Sequence, residues 1–482
     1  MSLTLNSLEE SPRQTSKREI KNEPFTAIDL SNMGLRALSG NLYKWYTFLS
    51  VMNISNNQLR ILSPQISELT QLVYLDLSLN QLQHLPVELG LLSQLQTLYL
   101  HDNLLTSLPH EFGMLYQLNK LTLDNNPLAD IIFQIEKQSC AQLIHYLRDN
   151  APQASPPESR LWEPNLLDPN SFTVLSYNIL AQKYARPKLY GYTPNWALEW
   201  AHRRDKIMIE LELYRPDIIC LQEVEHAEYD NFFSPKLANL NGASYKGVFF
   251  QKSRAKTMSE IDRRSVDGCA IFARSDKFEV VAEHLLEFNE LALKQHYLDK
   301  TDSLFTRLMQ RDNIAVVVML KHKKSGIPLW IVNCHIHWDP NFNDVKILQT
   351  AIMLEEVSKL VGTHPLIICG DFNSTPDSAV VTLMTEKKLS GDHPELLGID
   401  YGESLKTHGL KNRLQSLSNA YEHNIMPFTN YTPGFKGVID YIFYSDRLLQ
   451  VCETLGGITK EYYSQYVGFP NAHLPSEYFN LI

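Results

Sequence analysis

Between residues 26 and 128 the hydrophobic and polar positions repeat with a fixed spacing. Stretches that follow an LxLxxN pattern begin every 23 residues, at Met52, Leu75, Leu98 and Leu121, and a weaker copy, IDLSNM, begins at Ile28. The alternating apolar residues would be buried from a short strand, and the asparagine would bond backbone groups in the following turn. These asparagines are Asn57, Asn80, Asn103 and Asn126. The pattern predicts a leucine-rich-repeat solenoid, a structure that usually binds a partner protein.

The pattern changes after the last repeat. The stretch IIFQIEKQSCAQLIHYLRDN, residues 131–150, predicts a helix that caps the array, because a short array needs covered ends. The stretch APQASPPESRLWEP contains four prolines among small polar residues and predicts a linker. We therefore predict a polar N-terminal segment at 1–25, a leucine-rich-repeat domain with its cap at 26–150 and a linker at 151–168.

From about residue 170 short apolar runs alternate with longer helical patterns. The strand-like runs include FTVLSYNIL, IICLQE, YKGVFF, CAIFAR, IAVVVML, PLWIVNCHI, PLIICGDFN and GVIDYIFY. The helical patterns include WALEWAHRRDKIMIELELY and DVKILQTAIMLEEVSKLV. Strands mixed with helices over this length predict one α/β domain at 169–482, with two packed sheets and outer helices.

Polar residues follow several of these predicted strands directly. They are Asn178, Glu223, His335, His337, Asp371, Asn373, Asn430 and Asp440. Taken alone, Glu223 is compatible with a solvated strand end and His337 with a packed histidine, whereas Asp440 lies among apolar residues, where a carboxylate is costly unless it is paired. Taken together, carboxylate, amide and imidazole groups without a thiolate favour Mg²⁺ or Mn²⁺ over zinc.

Composition and charge exclude some classes of protein. The six cysteines include no CxxC pair, and most lie in or beside apolar runs, which indicates reduced thiols in an intracellular protein. The longest apolar run, 314–320, is too short to span a bilayer, and the N-terminal residues lack the apolar core of a signal peptide. The net charge of −10 argues against a protein that coats polyanions, although bound metal ions could supply positive charge to a phosphate substrate.

Five motifs, SYNIL, LQEVE, NCHIHWDP, GDFNSTP and GVIDYIFYS, in this order resemble the endonuclease/exonuclease/phosphatase superfamily. The longer stretches FFQKSRAKTMSEIDRRSVDGCAIF, HWDPNFNDVKILQ and FTNYTPGFKGVIDYIFYS resemble the carbon catabolite repressor 4-type deadenylases, which also place leucine-rich repeats ahead of the nuclease. The resemblance covers roughly residues 26–482. It implies a poly(A)-specific 3′-exoribonuclease that releases AMP from mRNA tails with two Mg²⁺ ions, for which Mn²⁺ can substitute.

The resemblance also implies partners and a location. The substrate would be the 3′ end of poly(A) mRNA. The leucine-rich repeats would bind a companion deadenylase and the Not scaffold of a multi-subunit complex that acts in mRNA turnover. The location would be cytoplasmic, and a nuclear pool stays open. No membrane is implied.

Roles for individual residues follow from the same resemblance. Glu223 with Asn178 would bind one metal ion, and Asp371 with Asn373 the second. Asp371 would also orient the attacking water, and His335 would contact the phosphate.

Further positions match the substrate contacts of the family. Pro340, Asn430 and Phe435 would hold the terminal adenosine, and Asp262 stands where the family has a longer glutamate. The complete set of implied substrate contacts is Glu223, Asp262, His335, Pro340, Asn373, Asn430 and Phe435. The lysine-rich stretches 252–256 and 321–324 could guide the RNA strand, although such runs are more often solvated surface.

One departure from the family lies in the stretch HLPSEYF. The family has a Ser-Asp-His triplet here, and this chain has Ser476, Glu477 and Tyr478. In the superfamily the histidine lies at the scissile phosphate and pairs with the acid at the position of Asp440. A phenol cannot become a cation, and with an unperturbed pKa of about 10 it is a poor base, but it can donate one hydrogen bond.

Three functions therefore stay open at this point. The first is an active deadenylase that Tyr478 weakens, and the second is a pseudo-nuclease that acts as a scaffold through its repeats. The third is another phosphoesterase, acting on an inositol phosphate or a lipid. The repeats and the adenosine-pocket matches argue against the third function. The retained metal-ligand positions favour the first function over the second.

Overall fold

The computed structural model describes most of the chain, namely residues 25–152, 154–164, 171–421 and 426–482. Nearly all of the predicted N-terminal segment 1–25 lies outside the described residues, as do residues 165–170 at the predicted start of the nuclease domain. The described residues form a repeat array before residue 150 and an α/β body from residue 171 onward.

Short parallel strands that pair side by side in chain order form one face of the repeat array. These strands are β1 (Ala27–Asp29), β2 (Val51–Asn53), β3 (Tyr74–Asp76), β4 (Thr97–Tyr99) and β5 (Lys120–Thr122). Their register aligns the first apolar residue of every repeat, so that Met52, Leu75 and Leu98 stand in one column. These side chains are buried in a core made almost entirely of repeat leucines. The predicted leucine-rich repeats are confirmed.

Buried asparagines connect each repeat to the one before it. The Nδ2 of Asn80 donates to the carbonyl oxygens of Leu77 in its own repeat (3.1 Å) and of Ile54 in the preceding repeat (3.0 Å). Its Oδ1 accepts a hydrogen bond from the backbone N–H of Leu59 (3.0 Å). The other repeat asparagines, Asn57, Asn103 and Asn126, bond in the same way. They satisfy backbone groups that would otherwise be buried without a partner.

The other face and the end of the array consist of short helices. They are α1 (Gly40–Trp45), single 3₁₀ turns at Pro64–Glu68, Val87–Leu91 and His110–Met114, and then α2 (Asp130–Glu136) and α3 (Cys140–Asp149). The cap is thus two helices and not the single predicted one. The break arises because Ser139 is extended and its side chain accepts the backbone N–H of Gln142, which starts a new helix.

The α/β body is built on two sheets. Its strands are β6 (Trp162–Pro164), β7 (Val174–Asn178), β8 (Ile218–Glu225), β9 (Tyr245–Gln251), β10 (Asp267–Arg274), β11 (Phe278–Glu287), β12 (Ile314–His322), β13 (Pro328–His335), β14 (Leu366–Asp371), β15 (Lys388–Leu389), β16 (Leu410–Lys411), β17 (Leu417–Asn419), β18 (Asn430–Thr432), β19 (Phe435–Gly437), β20 (Asp440–Ser445) and β21 (Glu453–Leu455). Among the described residues, the first sheet has the order β7-β8-β10-β9 and the second β11-β12-β13-β14-β20-β17.

Helices cover the outer faces of both sheets. They are α4 (Asn195–Leu198), α5 (Trp200–Tyr214), α6 (His226–Glu228), α7 (Ser234–Leu237), α8 (Glu260–Arg263), α9 (Phe288–Ala292), α10 (Asn343–Val361), α11 (Ala379–Glu386), α12 (Glu403–His408) and α13 (Lys460–Tyr463). Residues of α5 and α7 pack on the first sheet, and residues of α10 and α11 on the second. None of the helices described here has the length and apolar character that a bilayer span needs.

Between the two sheets lies an apolar core to which both contribute. Its members include the buried thiols of Cys220, Cys269 and Cys369, which are free, as predicted for reduced cysteines. The sheets are therefore packed face to face with helices outside, which confirms the predicted fold class.

The later part of the stretch predicted as a linker contacts the α/β body. Strand β6 pairs antiparallel with β21, and the Arg160 guanidinium donates to the carbonyl oxygens of Gly456 (2.6 Å) and Asn480 (2.9 Å). These partners lie 296 and 320 residues away in sequence, so proline content could not indicate them. Residues 160–164 of the predicted linker are thus attached to the α/β body.

The repeat array contacts the body through its cap. The guanidinium of Arg148 donates to the carbonyl oxygen of Gly191 (2.6 Å), and the carboxylate of Asp149 accepts two hydrogen bonds from Asn195. The ring of Tyr116 packs edge-on against that of Tyr192. The segment around residues 190–195 is therefore shared between the repeats and the body.

Replacing Asn103 by alanine should destabilise the repeat array by about 2–4 kcal/mol, because one N–H and two carbonyl groups lose a buried partner. Hydrogen exchange of the repeat amides would report this local change in free energy. The matched control is Asn119→Ala, since Asn119 is exposed. Equal exchange rates in the two variants would contradict the structural role of the asparagine.

Candidate active site

Strand pairing in the second sheet brings three predicted residues into one row. Strand β13 runs parallel to β14 and places His335 opposite Asp371, and β20 runs antiparallel to β14 and places Asp440 opposite Asp371. In the first sheet, β7 ends at Asn178 beside β8, which carries Glu223. The ends of both sheets therefore meet at one place.

Glu223 occupies a β-bulge. The register between β8 and β10 shifts, so that Gly268 pairs with Val224 and Cys269 with Gln222, while Glu223 is left without a partner on β10. The φ angle of Glu223 is 62°, a left-handed conformation that costs energy for a residue with a side chain. Bulges of this kind redirect a side chain and are common next to active sites.

Asn178 bridges the acids of the two sheets. Its Nδ2 donates to Glu223 Oε1 (3.1 Å) and to Asp371 Oδ2 (3.0 Å). Its Oδ1 accepts the backbone N–H of Leu180 (3.1 Å), and Glu223 Oε2 accepts the N–H of Ala181 (2.8 Å). A backbone N–H of the turn after β7 thus donates a hydrogen bond to the Glu223 carboxylate on the neighbouring strand β8.

The loop after β14 completes the floor. The N–H of Asn373 donates to Asp371 Oδ1 (2.9 Å), and the φ angle of Asn373 is 49°, again left-handed. The Nδ2 of Asn373 donates to the Ile336 carbonyl (3.0 Å), which leaves its side-chain oxygen available to a ligand. His335 Nε2 lies 3.7 Å from Asp371 Oδ2, and among the described residues the buried Nδ1 of His335 has no partner.

The carboxyl groups of Glu223, Asp371 and Asp440 are buried and that of Glu477 is partly buried, and burial raises the pKa values of all four. Burial first, and then the charge of a neighbouring acid, raises the pKa of Asp371 and raises that of Asp440 well above its usual range. The same causes raise the pKa of Glu223 and bring that of Glu477 to about 7. Burial, followed by the charge of Lys252, lowers the pKa of His335 to about 3, so this imidazole is neutral. The charged forms of these acids are therefore disfavoured unless a cation joins them.

A cleft of about 950 Å³ opens over this floor. The predicted site residues that line it are Glu223, His335, Pro340, Asn373, Asn430, Phe435, Glu477 and Tyr478. Asn178, Asp371 and Asp440 are buried beneath it. The volume is that of a small-molecule or nucleotide site, and both apolar and polar groups line it.

Asp262 and His337 lie elsewhere. Asp262 is exposed on α8, where the Ser259 hydroxyl donates to its carboxylate (2.7 Å) and accepts its backbone N–H (3.1 Å), as a helix cap does. The substrate contact implied for Asp262 therefore has no support in the geometry. His337 is buried and packs edge-on against Phe342, which matches the alternative of a packed histidine.

Residues 476–479 form one wall of the cleft. The Ser476 hydroxyl donates to the Asn178 carbonyl (2.8 Å), which ties this stretch to the first sheet. Tyr478 bridges to Asn430, the first residue of β18, and the Tyr431 N–H donates to the Glu477 carbonyl (3.0 Å). This stretch therefore connects the floor to the β18–β19 hairpin.

Glu477 and Tyr478 both face buried polar partners. The Tyr190 hydroxyl donates to Glu477 Oε2 (2.5 Å). The Tyr478 side chain lowers the pKa of Asp371 and so counteracts in part the effect of burial on that acid. Burial and the charge of Asp371 raise the pKa of Tyr478 well above 10, so the phenol stays neutral. It occupies the place where the resemblance implies a histidine.

Sequence reasoning assigned no role to several polar residues of the cleft, among them Tyr190 and Lys346, and it named Lys252 only within the lysine-rich stretch 252–256. Lys252 directly follows β9, so the strand-end rule that identified the acids could have identified this cation too. Lys346 lies within the largely apolar helix α10, so the strand-end rule could not identify it. The other lysine-rich stretch, 321–324, lies at the end of β12 and in the turn after it, and it does not line the cleft.

The donor set fits hard cations. Within the described ranges, no group of three or more His, Cys, Asp or Glu side chains surrounds a common point. Mg²⁺ needs only one or two carboxylates because it keeps several waters, and Glu223, Asp371 and the free oxygen of Asn373 meet that need. Asn178 would first have to rotate its amide, which now presents nitrogen to the acids.

Comparisons with known proteins agree with this fold. The model of the endonuclease/exonuclease/phosphatase family matches residues 175–463, and a leucine-rich-repeat model matches 70–128. A solved structure of ANGEL2, titled a 2′,3′-cyclic phosphatase, covers 67% of this chain and 97% of its own, with a TM-score of 0.55 and 25% identity.

Curated relatives match over both parts of the chain. The CCR4-Not complex 3′-5′-exoribonuclease subunit Ccr4 of Schizosaccharomyces pombe is 42% identical over 97% of this chain and 76% of its own length. The subunit of the same name from Debaryomyces hansenii is 43% identical over 98% of this chain, which spans 60% of that relative. The chain therefore belongs to the endonuclease/exonuclease/phosphatase family and, within it, to the Ccr4 group of 3′-5′-exoribonucleases with leucine-rich repeats.

Proposed function

We propose that this protein is a magnesium-dependent 3′-5′ exoribonuclease that shortens the poly(A) tails of mRNA and releases AMP. One observation carries the proposal: the ends of two sheets bring Glu223, Asp371 and His335 to the floor of one cleft, and the wall of that cleft carries Asn430 and Phe435. Carboxylates on the floor and an aromatic ring on the wall are what hydrolysis of an RNA end requires.

The metal ions would supply a positioned water and neutralise the charge that develops on the phosphate. Glu223, Asp371 and Asn373 would hold them, together with Asn178 after its amide rotates. His335 is neutral and can donate one hydrogen bond to a phosphate oxygen. The raised pKa of Asp371 suits a group that accepts a proton from water near neutral pH.

The wall residues support recognition of adenosine. Phe435 lies on β19 with 38% of its surface exposed, so a base can stack on its ring. Asn430 is buried on the paired strand β18 and can bond a base edge, as usual for unpaired RNA ends. Pro340 begins a 3₁₀ turn at the rim and can pack on the sugar. Together these contacts favour a purine at the 3′ end.

For the repeats we propose the role of a docking module within a complex. The relatives are named as subunits of the CCR4-Not complex, and the side chains of the repeat strands, such as Tyr74 and Tyr99, are only partly buried. A companion deadenylase and the Not scaffold are the proposed partners. A cytoplasmic location, with a nuclear pool left open, is proposed with them.

Labelled RNA with a 3′ oligo(A) tail should be shortened stepwise in Mg²⁺ with release of AMP. Glu223→Gln should reduce the rate below detection, because the floor loses a ligand charge while the side chain keeps its size. A tail of oligo(C) serves as the specificity control and should be degraded more slowly. No shortening at enzyme excess, in both Mg²⁺ and Mn²⁺, would instead support a pseudo-nuclease that acts as a scaffold.

Tyr478→His should raise kcat, because an imidazolium can offer charge to the phosphate where the phenol offers one neutral hydrogen bond. A single contact of this type is worth about 10²–10³ in rate, so we expect a gain of up to that size. Tyr478→Phe, which removes only the hydroxyl, should lower kcat. If neither variant differs from the native enzyme, the hydroxyl at position 478 has no part in turnover.

A further inference from the structure

Two buried lysines line the cleft, and the family resemblance implied a role for neither. Lys252 follows β9 directly and is 6% exposed, and Lys346 lies in α10 and is 5% exposed. Burying an ammonium group is costly unless a partner or a ligand compensates it. The contacts of each lysine therefore indicate whether its charge is compensated within the protein or is available to a ligand.

The charge around Lys252 is in excess. Its ammonium pairs with Asp267 at 2.7 Å, but the same buried carboxylate also pairs with Lys183 (2.6 Å) and Arg254 (2.7 Å). Arg254 has a second acid, Asp312, at 2.6 Å. The single negative charge of Asp267 is therefore shared by Lys252, Lys183 and, in part, Arg254. Two of these cations would satisfy Asp267 without Lys252.

Lys252 nevertheless stays charged. Burial is the largest single influence and disfavours its charged form, but Asp267, Tyr184 and Glu223 together hold the pKa of Lys252 above its usual value. Lys252 lines the same cleft as His335, the residue implied to contact the phosphate. A fixed positive charge thus stands beside the floor of acids.

Lys346 provides a second cation. Its Nζ donates to the carbonyl oxygen of Asn373 (2.8 Å), which is an uncharged acceptor. An ammonium has three N–H donors, so donors remain for a ligand in the cleft. Lys346 thus lies beside the loop that follows β14, while Lys252 lies beside His335.

We propose that Lys252 and Lys346 bind phosphate oxygens of the RNA backbone and so form an anion-binding pair in the cleft. This inference rests on the proposed function. A chain of net charge −10 with a floor of buried acids repels a polyanion, and ammonium groups are common point-charge binders of phosphate. The positive charge of the lysine pair offsets this repulsion, so that the RNA backbone can approach the acids.

Lys252→Met and Lys346→Met should each lower kcat/KM for an oligo(A) substrate about 10- to 100-fold, the value of a charge-assisted hydrogen bond. Methionine keeps most of the length and apolar volume of the stem. The control for Lys252 is Lys183→Met, since Lys183 pairs with Asp267 but does not line the cleft. The control for Lys346 is Lys359→Met, an exposed position on the same helix. Both controls should change kcat/KM less than twofold.

The contact with phosphate is tested by pairs of ligands of which one carries the phosphate charge and the other lacks it. The native protein should bind AMP more tightly than adenosine, and loss of a lysine that contacts the scissile phosphate should reduce this preference about tenfold or more. Methylphosphonates at the second and third linkages from the 3′ end test the upstream phosphates. There a neutral linkage should cost kcat/KM in the native enzyme but little in the variant that lacks the contacting lysine.

The outcomes separate this inference from the proposed function. If RNA is cleaved but neither lysine variant changes any phosphate preference, the anion-binding pair is wrong and the exonuclease stands. If no RNA is cleaved but the preference for AMP depends on the lysines, the exonuclease proposal is wrong and the pair stands. A Lys183 variant as damaged as the Lys252 variant would assign both lysines to structural support of Asp267.

Discussion

The site depends on burying several carboxylates together where two sheets end. Glu223, Asp371 and Asp440 are buried and Glu477 is partly buried, and each accepts a hydrogen bond from a neutral donor: the Asn178 amide, the Asn373 N–H, the Thr429 hydroxyl or the Tyr190 hydroxyl. Neutral donors reduce the cost of burial without cancelling the charge. The left-handed backbones of Glu223 and Asn373 show that the chain accepts strain to keep these side chains in place. Such a site is prepared for cations.

Contacts of these acids also connect the repeats to the nuclease body. Tyr190 donates to Glu477 in the floor, and its ring lies edge-on to that of Tyr192. Tyr192 in turn contacts Tyr116 of the repeat array, and Leu180, beside the metal-ligand position Asn178, belongs to the same apolar cluster. A chain of packed side chains thus joins the repeat array to the acids. The later part of the predicted linker is also attached to the body, because β6 pairs with β21.

Much of this arrangement could be predicted from sequence where the cause is local. The repeat period defines the strands and the asparagine bonds, and an acid that directly follows an apolar run, as in LIICGD, indicates its place at a sheet end. Features with non-local causes could not be predicted. The bulge at Glu223 depends on its register with β10, and the exposure of Asp262 depends on a short capped helix that one aligned motif does not reveal. Lys346 looked like an interruption in an apolar helix because its acceptor, the Asn373 carbonyl, is 27 residues away.

The balance of charge explains why Tyr478 matters beyond a single hydrogen bond. A histidine at this position would lie against Asp371 with further buried acids nearby, and negative neighbours favour its protonated form. Burial acts against that form, as it does at His335, so such a histidine contributes a positive charge where the acids outweigh burial, whereas tyrosine contributes none, because the same acids raise its pKa further. His335 cannot replace that charge, since burial and Lys252 keep it neutral. The remaining protein cations of the cleft are then Lys252 and Lys346, among the residues described. Without a cation at position 478, the floor relies more heavily on these two lysines and on bound metal ions to hold a phosphate.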